Sequence, residues 1–291
     1  MLRYRLLFGT LMTLLFTGLV IFDGWLDGSV MQADSAVPIL PIKGTILCIL
    51  VGLLAILANL EIAGLLRKTG AHVFKPIIIT ASILLATSWY WRQFYSDAVA
   101  FHLFYVLFVS VWAFLSLLLR QGLRFGPRNA INNCAANFFA IFYLGFLSSF
   151  VIGVRIDFGL RELLMFIFTV KSSDIGAYTI GRLFGRHKFS PAISPGKTWE
   201  GLIGAAVFAS IVACLFSVFC GIMPVWQAVI FGLIFSFLGQ LSDLVESMIK
   251  RDAQQKDSAQ TVPGFGGILD VIDSTLATAP LAYLFFMLVL A

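Results

Sequence analysis

The chain reads as an all-α polytopic membrane protein with about nine transmembrane helices, and three observations predict it. Of its 291 residues, 59% are hydrophobic, 29 are Phe and only 12% are charged, whereas a soluble domain carries roughly 25% charged residues. Mean hydropathy is +0.95. The apolar residues gather into runs close to the ~20 residues that carry a helix across a bilayer. No stretch is left over for a sizeable soluble domain.

The first run, 5–22, follows Met1-Leu2-Arg3-Tyr4-Arg5. A charged start before an apolar run also suits a signal peptide. No small-x-small cleavage site follows cleanly around Phe22-Asp23-Gly24-Trp25, so a retained first span is expected. Further spans are expected at 46–66, 76–91, 99–119, 131–153, 160–181, 201–220, 225–245 and 274–290. The Lys/Arg rule then orients them. With a cytoplasmic N-terminus, the inside connections hold Arg67, Lys68 and Lys75, then Arg120, Arg124 and Arg128, then Arg182, Arg186, Lys188 and Lys197, then Lys250, Arg251 and Lys256. The outside connections hold Lys43, Arg92 and Arg155 with Asp23, Asp27, Asp34, Asp97 and Asp157. The asymmetry predicts a cytoplasmic N-terminus and a C-terminus on the far side.

These loops absorb the net charge of +5, so nucleic acid is not an expected partner. Cys48, Cys134, Cys214 and Cys220 lie in apolar segments without CxxC spacing and read as buried thiols, not as a zinc site or disulfide framework.

Polar residues divide the chain into two regions. Residues 1–160 hold apolar helices and read as a scaffold, with a role in dimerisation open to them. His72 and His102 sit near span ends there, and Glu61 reads as an interhelical or snorkelling group. Residues 161–291 form a C-terminal region with nearly all the polar chemistry, and no internal repeat is visible. Three clusters carry it. Lys171 and Asp174 are i,i+3 in the sixth span and share a helix face. Charges inside a span are expensive and usually functional; the plainer reading is an ion pair that locks packing. Gly176 and Gly181 allow close helix approach.

The second cluster runs from Gly181 to Gly201 and includes Ser194-Pro195-Gly196-Lys197-Thr198-Trp199-Glu200. Basic side chains, hydroxyls and turn residues ahead of a helix N-terminus suit phosphate. The first Gly of a Walker A loop is absent. The plainer reading is an ordinary positive-inside loop with Thr198 as N-cap. In the third cluster Asp243 and Glu246 share one helix face and Asp270 and Asp273 another, at i,i+3 in each case. Lys250, Arg251, Asp252, Lys256 and Asp257 lie between them, before Pro263-Gly264-Phe265-Gly266-Gly267. Carboxylates from two helices meeting across a short loop fit an oxygen-liganded divalent cation, Mg²⁺ before others. Caps and surface ion pairs are the alternative, favoured for Lys250, Arg251 and Asp252 taken alone.

From about 171 to 280 the chain resembles the phosphatidate cytidylyltransferases (CDP-diacylglycerol synthases). The resemblance rests on Asp174-Ile-Gly-Ala-Tyr178, on Ser194-Pro-Gly-Lys-Thr-Trp-Glu-Gly201, and on S-x-x-K-R-x4-K-D from Ser247 to Asp257, continuing to Gly266-Gly267-Ile-Leu-Asp270. The family has His where this chain has Phe265, and Arg where it has Val271. The resemblance implies Mg²⁺-dependent transfer of a cytidylyl group from CTP to phosphatidate, with room for a second cation. Asp243 and Asp270 are the implied principal metal ligands, with Glu246, Asp257 and Asp273 as further ligands or their supports. Lys197, Ser194 and Thr198 would contact CTP phosphates. Lys250, Arg251 and Lys256 would hold the lipid phosphate or pyrophosphate, and Asp174, Gly266 and Gly267 would complete the cavity. It further implies a multi-pass protein of a bacterial inner membrane with its site facing the cytoplasm, and a homodimer is a candidate assembly. Two other readings stay open: a catalytically impaired relative that binds lipid, and a secondary transporter with an intramembrane polar site.

Overall fold

In the computed structural model, which describes residues 2–28, 42–262 and 266–290, long apolar runs become long helices. In order they are α1 (Leu2–Leu26), α2 (Thr45–Lys68), α3 (Lys75–Ala86), α4 (Ser88–Trp91), α5 (Ala98–Phe125), α6 (Ala130–Ile141), α7 (Leu147–Asp157), α8 (Leu160–Phe184), α9 (Trp199–Cys220), α10 (Val225–Asp252) and α11 (Ile268–Leu290). A π-helical turn, Phe142–Phe146, joins α6 to α7 without a break. Among the described residues, eight helices are long and apolar enough to cross a membrane, counting α6 through α7 as one.

The structure departs from the sequence reading in three places. The run expected as a single span at 76–91 breaks at Thr87 into α3 and α4. At 12 residues α3 measures about 18 Å, short of a ~30 Å hydrocarbon core. Yet Lys43 N–H bonds Gln93 Oε1 at 3.0 Å, and the Thr45 and Tyr90 hydroxyls lie 3.2 Å apart. The whole stretch from α3 to residue 93 therefore carries the chain from the Lys68 end of α2 back to its Thr45 end. Second, α10 continues to Asp252 and α11 begins at Ile268, so the carboxylates expected at span edges are helical. Third, the loop after α8 contains an antiparallel hairpin, β1 (Lys188–Ser190) with β2 (Ser194–Thr198), pairing Lys188 with Thr198 and Ser190 with Ser194.

Helix packing follows from small residues and narrow apolar stripes. α5 buries only Val109, Ala113, Leu117 and Gln121, one i,i+4 row. Its other faces expose Leu103, Phe104, Leu107 and Phe108, as a lipid-facing helix would. α8 and α9 approach at glycines, as expected for Gly176: a Cβ there would lie 2.5 Å from Gly204 O and 2.8 Å from Phe208 Cβ. Gly232 of α10 sits equally tightly on the backbone of Ser210 of α9. With no hydrophobic drive between helices in lipid, such close contact supplies the packing. One core cluster contains Phe166, Phe231, Phe235 and Phe286, and a second contains Ile62, Leu65, Ile78 and Leu144.

Side-chain contacts sort the connections into two ends. At one, Arg155 pairs with Asp23 and Asp27 at 3.3 and 2.6 Å, Arg92 pairs with Asp157, and Arg161 reaches Cys220 O. At the other, the 69–74 turn joins α6 and the loop after α10 joins α2. The hairpin meets α10 there too, through Arg251 and Ile193 O. Charges at the first end are largely neutralised in pairs, and the polar clusters lie toward the second.

Candidate active site

α8, α10 and α11 converge on a group of charges that their apolar surroundings force into contact. Lys171 of α8 donates to Val271 O and Ser274 Oγ of α11, both at 2.7 Å, and lies 3.5 Å from Asp174 Oδ2. Ser274 Oγ is 3.3 Å from the same Asp174 oxygen, and Gln240 Nε2 of α10 is 3.4 Å from Asp174 Oδ1. Lys197 leaves β2 to reach Gln240 O at 2.7 Å and Asp243 Oδ2 at 3.2 Å. The hairpin is thereby fastened over the ends of the helices. Nearer the C-terminal end of α10, Lys250 bridges Glu246 at 2.6 Å and Asp270 at 2.8 Å. Asp273 is 2% exposed and within electrostatic reach of Asp243, Glu246, Lys171 and Asp174.

Exposure is graded across the group. The side chains of Lys171, Asp174 and Asp243 are about a third exposed, at 35%, 30% and 29%. Glu246 is nearly sealed at 4%. Five carboxylates (Asp174, Asp243, Glu246, Asp270, Asp273) face three ammonium groups (Lys171, Lys197, Lys250), a formal excess of two negative charges. Such an excess in a low-dielectric setting is met by protonation or by a further cation.

A second layer holds the loop after α10. Glu61 of α2, 7% exposed, accepts from Thr261 Oγ1 (2.6 Å), Ile268 N (2.9 Å), Ser258 Oγ (3.1 Å) and Leu269 N (2.9 Å). It thus caps the first turn of α11 from another helix, where a negative charge meets free N–H groups. Asp270 Oδ2 accepts from Gly267 N at 2.7 Å and Ser258 N at 3.1 Å, and it lies 3.0 Å from the Ser258 hydroxyl, whose one proton it shares with Glu61. Gly266 has φ +102°, and a Cβ there would strike Asp270 Oδ2; one on Gly267 would strike Ser258 Oγ and Glu61 Oε2. The two glycines let the loop wrap closely around these two carboxylates.

The predicted residues therefore separate. Lys197, Asp174, Asp243, Glu246, Lys250, Asp270 and Asp273 come together. Thr198 is buried, and its hydroxyl caps α9 by accepting from Gly201 N at 3.1 Å, as the plainer reading had it. Ser194 opens β2, and Arg251 is exposed beside it, 3.5 Å from Ile193 O. Lys256 and Asp257 are exposed on the loop, Asp257 with its Cβ close to Gly266. Phe265 lies outside the described residues. Val271 is described, and its carbonyl holds Lys171. Lys250, a surface charge when taken alone and a phosphate-holding residue by the resemblance, is paired with Glu246 and Asp270.

Sequence reasoning passed over Gln240, Ser258 and Ser274, and read Glu61 as interhelical or snorkelling without tying it to the site; it is interhelical. A signal existed for Glu61, the sole acidic residue between Asp34 and Asp97, placed in the middle of an apolar run. None existed for Gln240 or Ser274, which become informative only once α8 stands beside them.

Among the described residues no three His, Cys, Asp or Glu side chains gather into a ready-made metal cage. The donors still fit Mg²⁺, which is commonly bound by one or two carboxylates, water and substrate phosphates. Glu246 Oε1 is buried without a hydrogen-bond partner, an acceptor left open within the anionic group.

A helical membrane protein with a lysine–carboxylate site spread over three spans and a hairpin is the class these features define. Over residues 29–289 the chain matches the Cytidylyltransferase family, and it belongs to that family. Three relatives carry the name phosphatidate cytidylyltransferase. The Staphylococcus haemolyticus protein is 32% identical over 250 residues, covering 84% of this chain and 91% of its own length. The Haemophilus influenzae protein is 42% identical over 137 residues, 45% of this chain and 48% of that one. The Staphylococcus saprophyticus protein is 41% identical over 143 residues, 49% of this chain and 55% of that one. The matched stretch thus spans about half the length of the last two.

Proposed function

We propose that the protein transfers a cytidylyl group from CTP to phosphatidate, giving CDP-diacylglycerol and pyrophosphate. The observation that carries this reading is the graded lysine–carboxylate group beneath the hairpin, in a chain whose relatives are named for that reaction. Lys171, Asp174 and Asp243 are reachable from water, while Glu246 and Asp273 behind them are buried among the helices.

A phosphate oxygen of the lipid attacks the α-phosphorus of CTP. The bond from that phosphorus to the oxygen bridging to the β-phosphate breaks, and pyrophosphate leaves with the electron pair. The lipid phosphate is itself the nucleophile, so no protein nucleophile is needed. Both reactants are anions, and the task is charge neutralisation and alignment. Lys197, held by Gln240 O and Asp243, is placed to meet the triphosphate on the hairpin side. Lys171, anchored by Val271 O and Ser274, is placed to meet phosphate on the α11 side. It sets a cation beside Val271, where the family carries Arg.

The carboxylates would repel both substrates unless a cation stood between them. Mg²⁺ held by Asp243 with Glu246 and Asp273 would supply that charge and polarise the transferring phosphoryl group. Asp270 already accepts from Lys250 and from the backbone of Ser258 and Gly267, and serves to order the loop. We place nine crossings in a bacterial inner membrane, with the N-terminus and the site on the cytoplasmic side. That arrangement follows the two-ended sorting of contacts and the Lys/Arg asymmetry. A headgroup at the interface and a nucleotide from water then reach one site.

Purified protein in phosphatidate-containing nanodiscs with labelled CTP and Mg²⁺ should form CDP-lipid and pyrophosphate. Asp243→Asn should lose at least a hundredfold in rate, since the carboxylate that would hold Mg²⁺ and that pairs with Lys197 is removed. Wild-type turnover no higher than that of Asp243→Asn would end the proposal. Val271→Arg, run alongside, tests whether Lys171 already fills that role: an unchanged rate is expected.

A further inference from the structure

Away from the charged site, one concavity gathers cations without anions. The turn between α2 and α3 and the C-terminal end of α5 enclose a cavity of about 800 Å³. Arg67, Lys75, Arg120 and Arg124 line it together with His72 and Phe125, and no Asp or Glu does. Among the described residues none of those four cations forms an ion pair. A smaller neighbouring depression adds Arg128. The Lys/Arg rule accounts for the sign of these residues at a cytoplasmic end. It does not account for a shared concavity, or for the way that concavity is built.

The walls are braced by a buried amide network. Asn137 accepts from Phe74 N and donates to His72 O, both at 2.7 Å. Asn133 accepts from His72 N at 2.9 Å and donates to Gln121 Oε1 at 3.0 Å. Gln121 in turn donates to Gly126 O and Arg128 O, each at 3.0 Å. Asn133 and Asn137 are 0% exposed and Gln121 2%. The His72 ring stacks on Phe125 at 4.2 Å. Both the 69–74 turn and the 126–128 turn are thus held before anything binds, which lowers the ordering cost of binding. Val73, Ile77 and Phe125 give the cavity apolar wall, and the adjoining α5 surface exposes Leu119 and Leu123 at 63% and 77%. The cavity lies where a lipid-facing helix meets a basic rim.

We propose that this cavity is an anionic-lipid site, separate from the α8–α10–α11 group, that takes the phosphate headgroup of a membrane phospholipid. Unpaired cations supply the headgroup recognition, and the apolar wall running onto α5 favours a lipid over free phosphate. The inference does not depend on the transfer reaction. α2 links the two places physically, carrying Arg67 at the cavity and Glu61 at the α11 cap.

Native mass spectrometry of the full chain in detergent, titrated with phosphatidylglycerol or phosphatidylcholine, tests it. Wild type should retain one more phosphatidylglycerol than the Arg67→Gln/Arg120→Gln/Arg124→Gln variant. Phosphatidylglycerol affinity at that site should fall about tenfold or more, since each basic group near an anionic headgroup contributes measurably. Phosphatidylcholine retention should not differ, and Asp243→Asn should retain phosphatidylglycerol like wild type. Arg124→Glu alone, at an exposed side chain, gives the same reading if the triple variant folds poorly. Equal phosphatidylglycerol retention in wild type and Arg124→Glu would overturn the site. Inorganic phosphate displacing the lipid at equal concentration would overturn the lipid assignment.

Discussion

Replacing Glu61 by Gln tests whether the loop after α10 is held from a distant helix. The side chain keeps its size and loses its charge. Two donors converge on each carboxylate oxygen, at 2.6 and 2.9 Å on Oε1 and at 3.1 and 2.9 Å on Oε2. An amide keeps one oxygen and turns the other into NH₂, which faces one backbone N–H, while the hydroxyl on that side, Thr261 or Ser258, can rotate to accept. A hydrogen bond to a charged group contributes about 1.5–3 kcal/mol, so the orphaned backbone N–H costs roughly that much. Loss of the charge at the α11 N-terminus adds about 0.3–1 kcal/mol. Together they leave about 3 kcal/mol against local opening. At 1.4 kcal/mol per tenfold, that is on the order of a hundredfold. Hydrogen exchange by mass spectrometry should show protection at Ile268 and Leu269 falling by that order in nanodiscs, while α5 peptides keep theirs. CDP-lipid formation should fall with it, because Asp270 rides on the same turn. Glu61→Asp, which keeps the charge on a shorter stem, should lie between. Unchanged exchange at Ile268 and Leu269 in a folded Glu61→Gln protein would refute the argument.

Lys250→Met removes the cation shared by Glu246 and Asp270 and should cost about 3–5 kcal/mol in thermal or denaturant unfolding, since a buried charge loses its partner. Adding Glu246→Gln should recover part of that loss, and strict additivity of the two changes would contradict the bridging geometry. Gly176→Ala drives a methyl into Gly204 O and should destabilise by about 1–3 kcal/mol. Gly196→Ala has open space within 4 Å and should leave the unfolding midpoint in place.

Much of the fold was legible because membrane physics is local. A span must satisfy its own backbone and face lipid with apolar groups, so runs of residues announce helices. The exception was 76–91, where the run was visible but the break at Thr87 was not. Only the return contacts of Tyr90 and Gln93 to the start of α2 show how that segment lies. The site was legible in part for the same reason: Lys171, Asp174, Asp243, Asp270 and Asp273 stand out as charges among apolar neighbours. Their i,i+3 spacing gives a shared face, which is a property of one helix.

Which faces meet is a property of several helices, and spacing along the chain carries no record of it. Lys250 illustrates this: beside Arg251 and Asp252 it reads as a surface charge, yet it lies between Glu246 and Asp270. Glu61 lies nearly two hundred residues before the loop it holds. By itself the sequence determined a membrane-embedded helical chain of the cytidylyltransferase type, with its lysine–carboxylate clusters after residue 160. Tertiary structure alone decided which lysine answers which carboxylate. It also decided that Gly266 and Gly267 enclose Asp270 and Glu61, and that the basic turns of the first half share one braced cavity. The physical reason is that burying a charge is tolerable only against a partner, and partners are chosen by packing between helices.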